Sequence, residues 1–338
     1  MDVKNLLEKL LNHISLGDAE AVGLMEAMMQ GELDPVVTSA VLIALRAKGE
    51  STGEIAAFAK VMREKSTPIP CDADLIVDTC GTGGDGSGSY NISTTVALLL
   101  ASGGYKVAKH GNRSMTSRSG SADLLEALGI KIDLTASQVG EVLKKNHFGF
   151  LFAPALHSAM KNVVPVRKAL AVRTVFNLLG PLTNPAGANV QVIGLFDVNR
   201  VVQIAEVLKQ LGTESAYVVA GKDGLDEVSV ADDTVVARLK EGEIEEFVFD
   251  PENFGYQKSS IEELRGGEPA ENAQITLGLL SGAIQGPKRD VLVLNAGFAI
   301  SAADNIELKE AFHKAENLID SHQGVQLIEA LRAQTHSF

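Results

Sequence analysis

A glycine-rich stretch that follows a short apolar run is the strongest candidate for chemistry in this sequence. Four glycines occupy six positions in Gly-Thr-Gly-Gly-Asp-Gly at residues 81–86, shortly after the apolar residues 75–77. Glycine lets the backbone take positive φ and approach a ligand closely, at an entropic cost that an ordinary turn does not require. Asn91, Ser93 and Thr94 then open an apolar helical run, where free backbone N–H groups and the helix dipole favour an anion. The stretch predicts a phosphate-binding loop.

A second loop combines cations, hydroxyl groups and glycines. Lys-Val-Ala-Lys at 106–109 leads into His-Gly-Asn-Arg-Ser-Met-Thr-Ser-Arg-Ser-Gly-Ser at 110–121, just before a helical pattern over 122–128. Taken alone, the first loop could be an ordinary turn, because its spacing matches neither the P-loop nor the dinucleotide fingerprint. Two anion-suited loops, each after a predicted strand, are less expected by chance. Together they indicate a ligand with more than one phosphate group.

Three further features could carry chemistry. Arg167 offers a planar guanidinium, which grips a carboxylate through two parallel hydrogen bonds, although a solvated surface arginine is the commoner case. Asp226 and Glu227 are adjacent carboxylates after a predicted strand, and could hold Mg²⁺ against phosphate oxygens or form a polar turn. His110 and His157 are as easily packed as catalytic. No Ser-His-Asp or Cys-His set with a recognisable spacing is present, so covalent catalysis is not indicated.

Composition limits the class of protein. The chain has 338 residues, 45% of them hydrophobic and 22% charged, as expected for a soluble globular protein with one large or two ordinary domains. The net charge of −13 argues against a nucleic-acid or membrane-surface partner. Lys106, Lys109, Arg113 and Arg118 nevertheless make one segment locally basic. An anionic small ligand therefore remains compatible with the acidic whole.

Targeting and redox signals are few. Cys71 and Cys80 are the only cysteines, which suggests neither a disulfide framework nor a zinc site. The N-terminal residues lack the apolar core of a signal peptide, and no apolar run approaches membrane-spanning length. We therefore expect a cytoplasmic protein.

The hydrophobic pattern divides the chain into two parts. Residues 1–70 predict four short amphipathic helices, with caps at Asp18, at Asp34 before Pro35, and at Ser51 or Thr52 before Glu54. From residue 71 onward, short apolar runs alternate with helical patterns, which predicts parallel strands with crossover helices. Candidate strands are 75–79, 105–109, 148–152, 190–196, 216–220 and 291–294, with a hairpin over 234–240 and 244–249. The predicted fold is α/β: a small N-terminal helical domain (1–70) and a large α/β domain (71–338) whose central, mostly parallel sheet is flanked by helices.

Seven segments together resemble the anthranilate phosphoribosyltransferases of tryptophan biosynthesis. They are GTGGDG at 81–86, NIST at 91–94, KHGNRS at 109–114, SADLLEALG at 121–129, PVRKA at 165–169, NLLGPLTNP at 177–185 and GLDE at 224–227. The resemblance implies transfer of a phosphoribosyl group from phosphoribosyl pyrophosphate to the amine of anthranilate, with Mg²⁺. It also implies a site at the hinge between the domains, helices near 167–182 that rejoin the helical domain, and a homodimer formed through that domain.

The resemblance further implies roles for individual residues, with none as nucleophile or firm general base. Anthranilate would meet Gly81, Asn112 and Arg167, and magnesium would meet Ser93, Asp226 and Glu227. Phosphoribosyl pyrophosphate would be surrounded by Gly81, Gly84, Asp85, Ser89, Asn91, Ile92, Ser93, Thr94, Lys109, His110, Gly111, Asn112, Arg113, Ser114, Met115, Thr116, Ser117 and Ser121.

Two other functions are alternatives. A pyrimidine nucleoside phosphorylase resembles this family in fold, but the metal-suited pair Asp226-Glu227 and the arginine of PVRKA argue against it. A noncatalytic relative that binds nucleic acid is disfavoured by the net charge. Departures from the family pattern are few: Tyr90 where phenylalanine is common, Thr116 for serine, Ser158 for proline, and residues 220–222 where histidine is frequent.

Overall fold

The computed structural model describes residues 2–114 and 118–338. Its first part consists of the four predicted helices: α1 (Val3–Leu11), α2 (Asp18–Gln30), α3 (Pro35–Lys48) and α4 (Thr52–Glu64). Asp34 caps α3, accepting a hydrogen bond from the Val36 N–H at 2.8 Å. Ser51 and Glu54 form a reciprocal capping box at the start of α4. The predicted cap at Asp18 is wrong by one residue, because Gly17 is the N-cap and Asp18 the first residue of α2.

A seven-stranded sheet lies at the centre of the remaining described residues. Its order is β3-β2-β1-β4-β5-β6-β7. The first five strands of that order run parallel, and β6 and β7 are antiparallel neighbours, as the hairpin prediction requires. The strands are β1 (Val77–Gly81), β2 (Val107–Gly111), β3 (Phe148–Phe152), β4 (Val190–Gly194), β5 (Ser215–Gly221), β6 (Thr234–Lys240) and β7 (Glu243–Phe249).

Helices cover both faces of this sheet, so the predicted α/β class is confirmed. Helices α5 and α13 pack on β1 on one face, and α11 packs on β5 and β6 on the other. The helices of this part are α5 (Ile92–Ser102), α6 (Ser121–Ala127), α7 (Ala136–Asn146), α8 (Ala153–Leu156), α9 (Val164–Leu170), α10 (Phe176–Leu179), α11 (Val201–Gln210), α12 (Pro269–Leu280), α13 (Pro287–Asp304), α14 (Leu308–Asp320) and α15 (Gln323–Thr335).

The strand predicted at 291–294 is wrong, since those residues lie inside α13. Every residue from Val291 to Ala302 is buried, against α5, α14 and the sheet. A helix that is buried on all sides loses its amphipathic period, and a short apolar run within it reads equally well as a core strand. Across the described residues no single helix could span a membrane by length and composition; α13 and α14 pass that test only as a pair bent by 116°.

Segment 158–182 packs against the N-terminal helices. A 3₁₀ turn at Ser158–Asn162 contacts α2, while α9 contacts α3 and α10 contacts α4. Val163, Val166 and Phe176 share an apolar cluster with those helices. That the helices near 167–182 belong to the helical domain, and that the domains divide at residue 70, both stay predictions.

The parallel strands place both candidate loops at one edge of the sheet. The chain leaves β1 for β2 on one side and reaches β4 on the other, so β1 lies at a change of strand order. Ligands of open α/β sheets bind outside the carboxyl ends of the strands at such a point. The loops after β1 and β2 lie there, and so do Asp226 and Glu227, which follow β5.

Candidate active site

The loop between β1 and α5 has the backbone that its glycines allow. Gly83 and Gly84 take φ values of 68° and 74°, which side chains rarely permit. Gly81 is glycine for a different reason, because a Cβ atom there would overlap the Asp226 carboxylate. The main chain at Gly81 therefore lies too close to the Asp226 carboxylate for any side chain to fit between them.

Side-chain hydrogen bonds join the two loops into one site. Asn91 donates to the Ser119 carbonyl at 3.0 Å and accepts from the Ser119 hydroxyl at 3.1 Å. The hydroxyls of Thr94 and Ser121 lie 3.0 Å apart. Asn272 of α12 donates to the same Asn91 oxygen at 2.9 Å. The Asn91 amide thus binds protein groups on both sides.

Asp226 and Glu227 accept hydrogen bonds from two backbone N–H groups that are suited to bind an anion. The Gly83 N–H donates to Asp226 Oδ2 at 2.6 Å, and the Ser93 N–H in the first turn of α5 donates to Glu227 Oε1 at 3.1 Å. Burial, and then the charge of Glu227, raise the pKa of Asp226 well above its ordinary value. Burial likewise raises the pKa of Glu227, against the attraction of Lys109. The two carboxyl groups are held where a further positive charge would stabilise their ionised forms.

Lys109 supplies positive charge beneath the loops. It is 1% exposed, and its ammonium donates to the Thr79 carbonyl at 2.5 Å and to Ser93 Oγ at 3.3 Å. Its charge lowers the otherwise raised pKa values of Asp78 and Glu227. The predicted phosphate-site lysine is therefore a buried cation that lies between strand ends and α5.

Asp78 is a site residue that the sequence interpretation missed. It is fully buried in β1, and burial raises its pKa to about 6. Its carboxylate accepts from the His110 N–H at 3.2 Å and from Asn184 Nδ2 at 2.8 Å, while Asn184 also donates to the Ala108 carbonyl at 2.7 Å. Asp78 thereby fixes β1 to the end of β2. A carboxylate inside an otherwise apolar strand was the available signal.

The donors present suit magnesium as part of a larger set. Mg²⁺ prefers oxygen ligands, and carboxylates of Asp226 and Glu227 with the Ser93 hydroxyl are of that type. Asp85 adds charge beside them, and its Oδ2 is buried without a hydrogen-bond partner in the described residues. No group of three or more His, Cys, Asp or Glu side chains in residues 2–114 and 118–338 could hold a metal by itself. A magnesium ion here would need further oxygens, such as phosphate or water.

The two histidines meet as a buried pair. Their Nε2 atoms are 3.2 Å apart, and His110 Nδ1 lies 3.1 Å from the Gly180 carbonyl, to which it must donate. Burial lowers the pKa of His110 to about 3 and that of His157 to about 4. Both rings are therefore neutral at neutral pH.

Other predicted residues have local partners. The Arg113 guanidinium lies 2.6 Å from Glu126 and 3.0 Å from Asp123, both on α6. Asn112 Oδ1 accepts from the Arg113 N–H at 2.7 Å. The Ser114 N–H donates to the Asp123 carboxylate, and the Ile92 N–H donates to the Tyr90 carbonyl. Ser89 forms a β-bridge with Arg265, and Gly111 packs closely on the Phe150 side chain. Met115, Thr116 and Ser117 lie outside the described residues.

Arg167 projects from α9. Its guanidinium carbon is 5.4 Å from the centre of the Phe176 ring, and burial lowers its pKa. The structure shows no hydrogen bond or ion pair for this guanidinium among the residues it describes. Arg167 is therefore a partly buried cation available to a carboxylate.

The histidine pair predicts a loss of stability in acid. Between about pH 6.5 and 4, the unfolded chain binds protons on both histidines while the folded chain does not, so stability falls as pH falls. Asp78 acts oppositely between about pH 6 and 3.8, because the folded state keeps its proton. We expect His157→Gln to reduce the loss between pH 7 and pH 5 by about 2 kcal/mol. Urea unfolding at both pH values measures this.

His313→Gln, on the exposed side of α14, is the control for that measurement. An equal loss in the wild type and His157→Gln would contradict the lowered pKa of His157.

Comparisons with known proteins agree with this geometry. Two sequence families match: the glycosyl transferase family, helical bundle domain, over residues 4–66, and its a/b domain over 73–324. Anthranilate phosphoribosyltransferases of Symbiobacterium thermophilum and Persephonella marina are 47% and 45% identical to the chain, covering 99% and 98% of it and 98% of each relative.

Two solved structures of that enzyme superpose closely. The one from Thermus thermophilus has a TM-score of 0.93 at 42% identity, covering 99% of this chain and 100% of its own. The one from Saccharomyces cerevisiae, in complex with phosphoribosyl pyrophosphate and magnesium, has a TM-score of 0.87 at 28% identity, covering 99% and 98%. Family match, identity and fold together lead to one conclusion: the chain belongs to the anthranilate phosphoribosyltransferases, which are pentosyltransferases of the glycosyl transferase family.

Proposed function

We propose that the chain joins anthranilate to phosphoribosyl pyrophosphate at the edge of the sheet where the loops after β1 and β2 meet. The products are N-(5-phosphoribosyl)anthranilate and pyrophosphate. The observation that carries this proposal is the direct bonding of two anion-suited loops to each other, above a buried lysine and beside two carboxylates. The complex of the yeast relative with phosphoribosyl pyrophosphate and magnesium supports it.

The reaction asks for positioning and charge stabilisation rather than a protein nucleophile. The amine of anthranilate attacks the anomeric carbon with inversion as the bond to pyrophosphate breaks, through a transition state with oxocarbenium character. Negative charge grows on the leaving pyrophosphate, and preorganised donors stabilise it most. The Gly83 and Ser93 N–H groups and Lys109 are such donors. Magnesium held by Asp226, Glu227 and Ser93 would neutralise part of the same charge.

Asp226 and Glu227 can then bind either the N–H groups of the loop or magnesium. Asp226 and Glu227 accept hydrogen bonds from the Gly83 and Ser93 N–H groups, which are the donors that we assign to pyrophosphate. Two anions cannot share those donors at low cost, because like charges repel strongly in a buried site. Substrate binding therefore requires both carboxylates to release the loop.

Anthranilate carries a carboxylate next to its amine, and we assign that carboxylate to Arg167. Its guanidinium has the geometry for two parallel bonds, and it is partly buried, which strengthens them. Asn112 and Gly81 stay assigned to the same substrate. The buried pair His110–His157 is neutral and adds no competing positive charge.

A homodimer through the helical part is also proposed. Large apolar side chains are exposed there on α1, α3 and nearby turns, with Val36 77% and Leu11 59% exposed. An association surface through this part would cover these side chains. A monomeric mass in sedimentation equilibrium would contradict the dimer. Cytoplasmic location also remains a proposal, favoured by the low cysteine count.

The activity itself is tested by mixing the protein with anthranilate, phosphoribosyl pyrophosphate and Mg²⁺. We expect anthranilate fluorescence to disappear with release of one pyrophosphate per anthranilate. Thymidine with inorganic phosphate is the comparison reaction, and turnover with that pair alone would favour the nucleoside phosphorylase.

Arg167→Ala should weaken the use of anthranilate selectively. Loss of a hydrogen-bonded charge costs about 1.5–3 kcal/mol, or roughly tenfold to a hundredfold in kcat/KM for anthranilate. The KM for phosphoribosyl pyrophosphate should move far less, and Arg167→Lys should recover only part of the activity. Steady-state kinetics with each substrate varied in turn measures this, with the neighbouring exposed Lys168→Ala as control. A defect confined to phosphoribosyl pyrophosphate would refute the assignment.

Asp226→Ala should change pyrophosphate binding in opposite directions with and without magnesium. Without magnesium, removal of the carboxyl group frees the Gly83 N–H for the ligand, so affinity should rise roughly tenfold. With magnesium, loss of a ligand should lower affinity. Calorimetry with pyrophosphate, in a chelator and in Mg²⁺, measures both.

Asp133→Ala removes an exposed carboxylate elsewhere and is the charge-matched control for that calorimetry. Weaker binding of Asp226→Ala under both conditions would show that Asp226 supports the loop rather than competing with the ligand.

A further inference from the structure

Arg173 spans the space between the N-terminal helices and the glycine-rich loop. It lies in the turn between α9 and α10, and its guanidinium donates to the Gly84 carbonyl. The guanidinium carbon is 3.6 Å from the centre of the Phe196 ring, which follows β4. On the other side, Arg46 of α3 donates to the Arg173 carbonyl at 2.5 Å. Arg173 is thus tied at its backbone to α3 and at its side chain to the loop.

We propose that Arg173 is a positioning residue, which holds the tip of the glycine-rich loop in place through the Gly84 carbonyl. The proposal rests on the assignment of that loop to the pyrophosphate group. Arg173 donates to a carbonyl and leaves the loop N–H groups free for the ligand, so it acts through the loop rather than on the substrate.

The loop needs such support because its glycines supply no side chain at its tip. Gly83, Gly84, Gly86 and Gly88 all have positive φ and no side chain to pack. Glycines lose more conformational entropy on ordering than other residues, so a loop of this kind is disordered unless it is held. The two contacts that hold its tip come from opposite sides: Asp226 on the Gly83 N–H and Arg173 on the Gly84 carbonyl.

Arg173 matters most after the substrate has entered. We assign Asp226 to magnesium in the loaded enzyme, which would draw its carboxylate away from the Gly83 N–H. The Arg173 contact is then the remaining side-chain hydrogen bond to that tip among those in the described residues. It is also independent of the metal, because it involves neither carboxylate.

Stacking on Phe196 makes this exposed arginine more than a mobile surface charge. A guanidinium over an aromatic face is attracted by the ring and loses rotational freedom before it donates. Arg46 fixes the main chain at Arg173. The position of the loop therefore depends on α3 and on the short segment that also carries Arg167. Arg173 thereby sets the loop relative to the residue assigned to anthranilate.

Hydrogen exchange in the ligand-free protein tests the contact without reference to activity. Arg173→Met keeps the stem over Phe196 and removes the donor. We expect amide exchange across residues 82–88 to accelerate about tenfold, as for loss of one hydrogen bond to a charged group. Lys161→Met removes an exposed charge from the same segment and should leave that exchange unchanged. Unchanged exchange in Arg173→Met would overturn the proposal.

Kinetics separates positioning from charge. We expect Arg173→Met to raise the KM for phosphoribosyl pyrophosphate roughly tenfold, with a smaller change in the KM for anthranilate. Arg173→Lys keeps the charge but not the planar fork, so it should resemble Arg173→Met in exchange and in KM. Full recovery of both by Arg173→Lys would show that charge alone acts, and would overturn the positioning role.

Failure of the proposed function gives a different result. If the wild type does not consume anthranilate but residues 82–88 still exchange faster in Arg173→Met, the contact stands and the substrate assignment falls.

Discussion

The burial of Lys109 among carboxylates is the constraint on which the rest of the site depends. An ammonium that is 1% exposed must be compensated, and Asp78 and Glu227 carry the charges that interact with it. These three groups come from β1, β2 and the segment after β5. Parallel pairing of β1 with β2 and β4 is what brings them to one edge of the sheet. The charge cluster therefore depends on the strand order of the sheet. The same strand order fixes the positions of the loops after β1 and β2.

Carboxyl groups outnumber cationic groups in this cluster, and that imbalance suits the proposed reaction. Asp226, Glu227 and Asp85 lie within reach of one another's fields, and burial raises the pKa values of Asp226 and Glu227. A site built in this way favours a divalent cation, while the N–H groups of the loop and of α5 favour an anion. Both preferences are satisfied together by a metal-bound diphosphate. The proposed site therefore suits the complex better than either component alone.

Features that depend on residue type and near neighbours could be predicted from the sequence. Features that depend on long-range packing could not. Glycines at 83 and 84 indicate positive φ because of their residue type, and the adjacent Asp226 and Glu227 indicate a pair of carboxylates. Both features could therefore be predicted from the sequence. The assignment of Arg113 to phosphoribosyl pyrophosphate stays a prediction, but no local pattern predicts the pairing of its guanidinium with Asp123 and Glu126 on the next helix. The strand predicted at 291–294 lies in a fully buried helix without a period to read. The first strand extends to Gly81 rather than ending at residue 79, because Cys80 and Gly81 pair with β4. Arg173 carried no signal, since its importance comes from a glycine 89 residues earlier.

The hydrogen bond from Asn272 to Asn91 connects helix α12 to the two loops of the site. Asn272 follows Asn91 by 181 residues and lies on α12, away from both loops in the chain, yet it accepts the Gly267 N–H and donates to the oxygen that Ser119 also uses. Residues that share one acceptor do not tolerate mutation independently, so substitutions at 91, 119 and 272 are energetically non-additive. A substitution on α12 can therefore disturb both loops without any contact between α12 and the substrate.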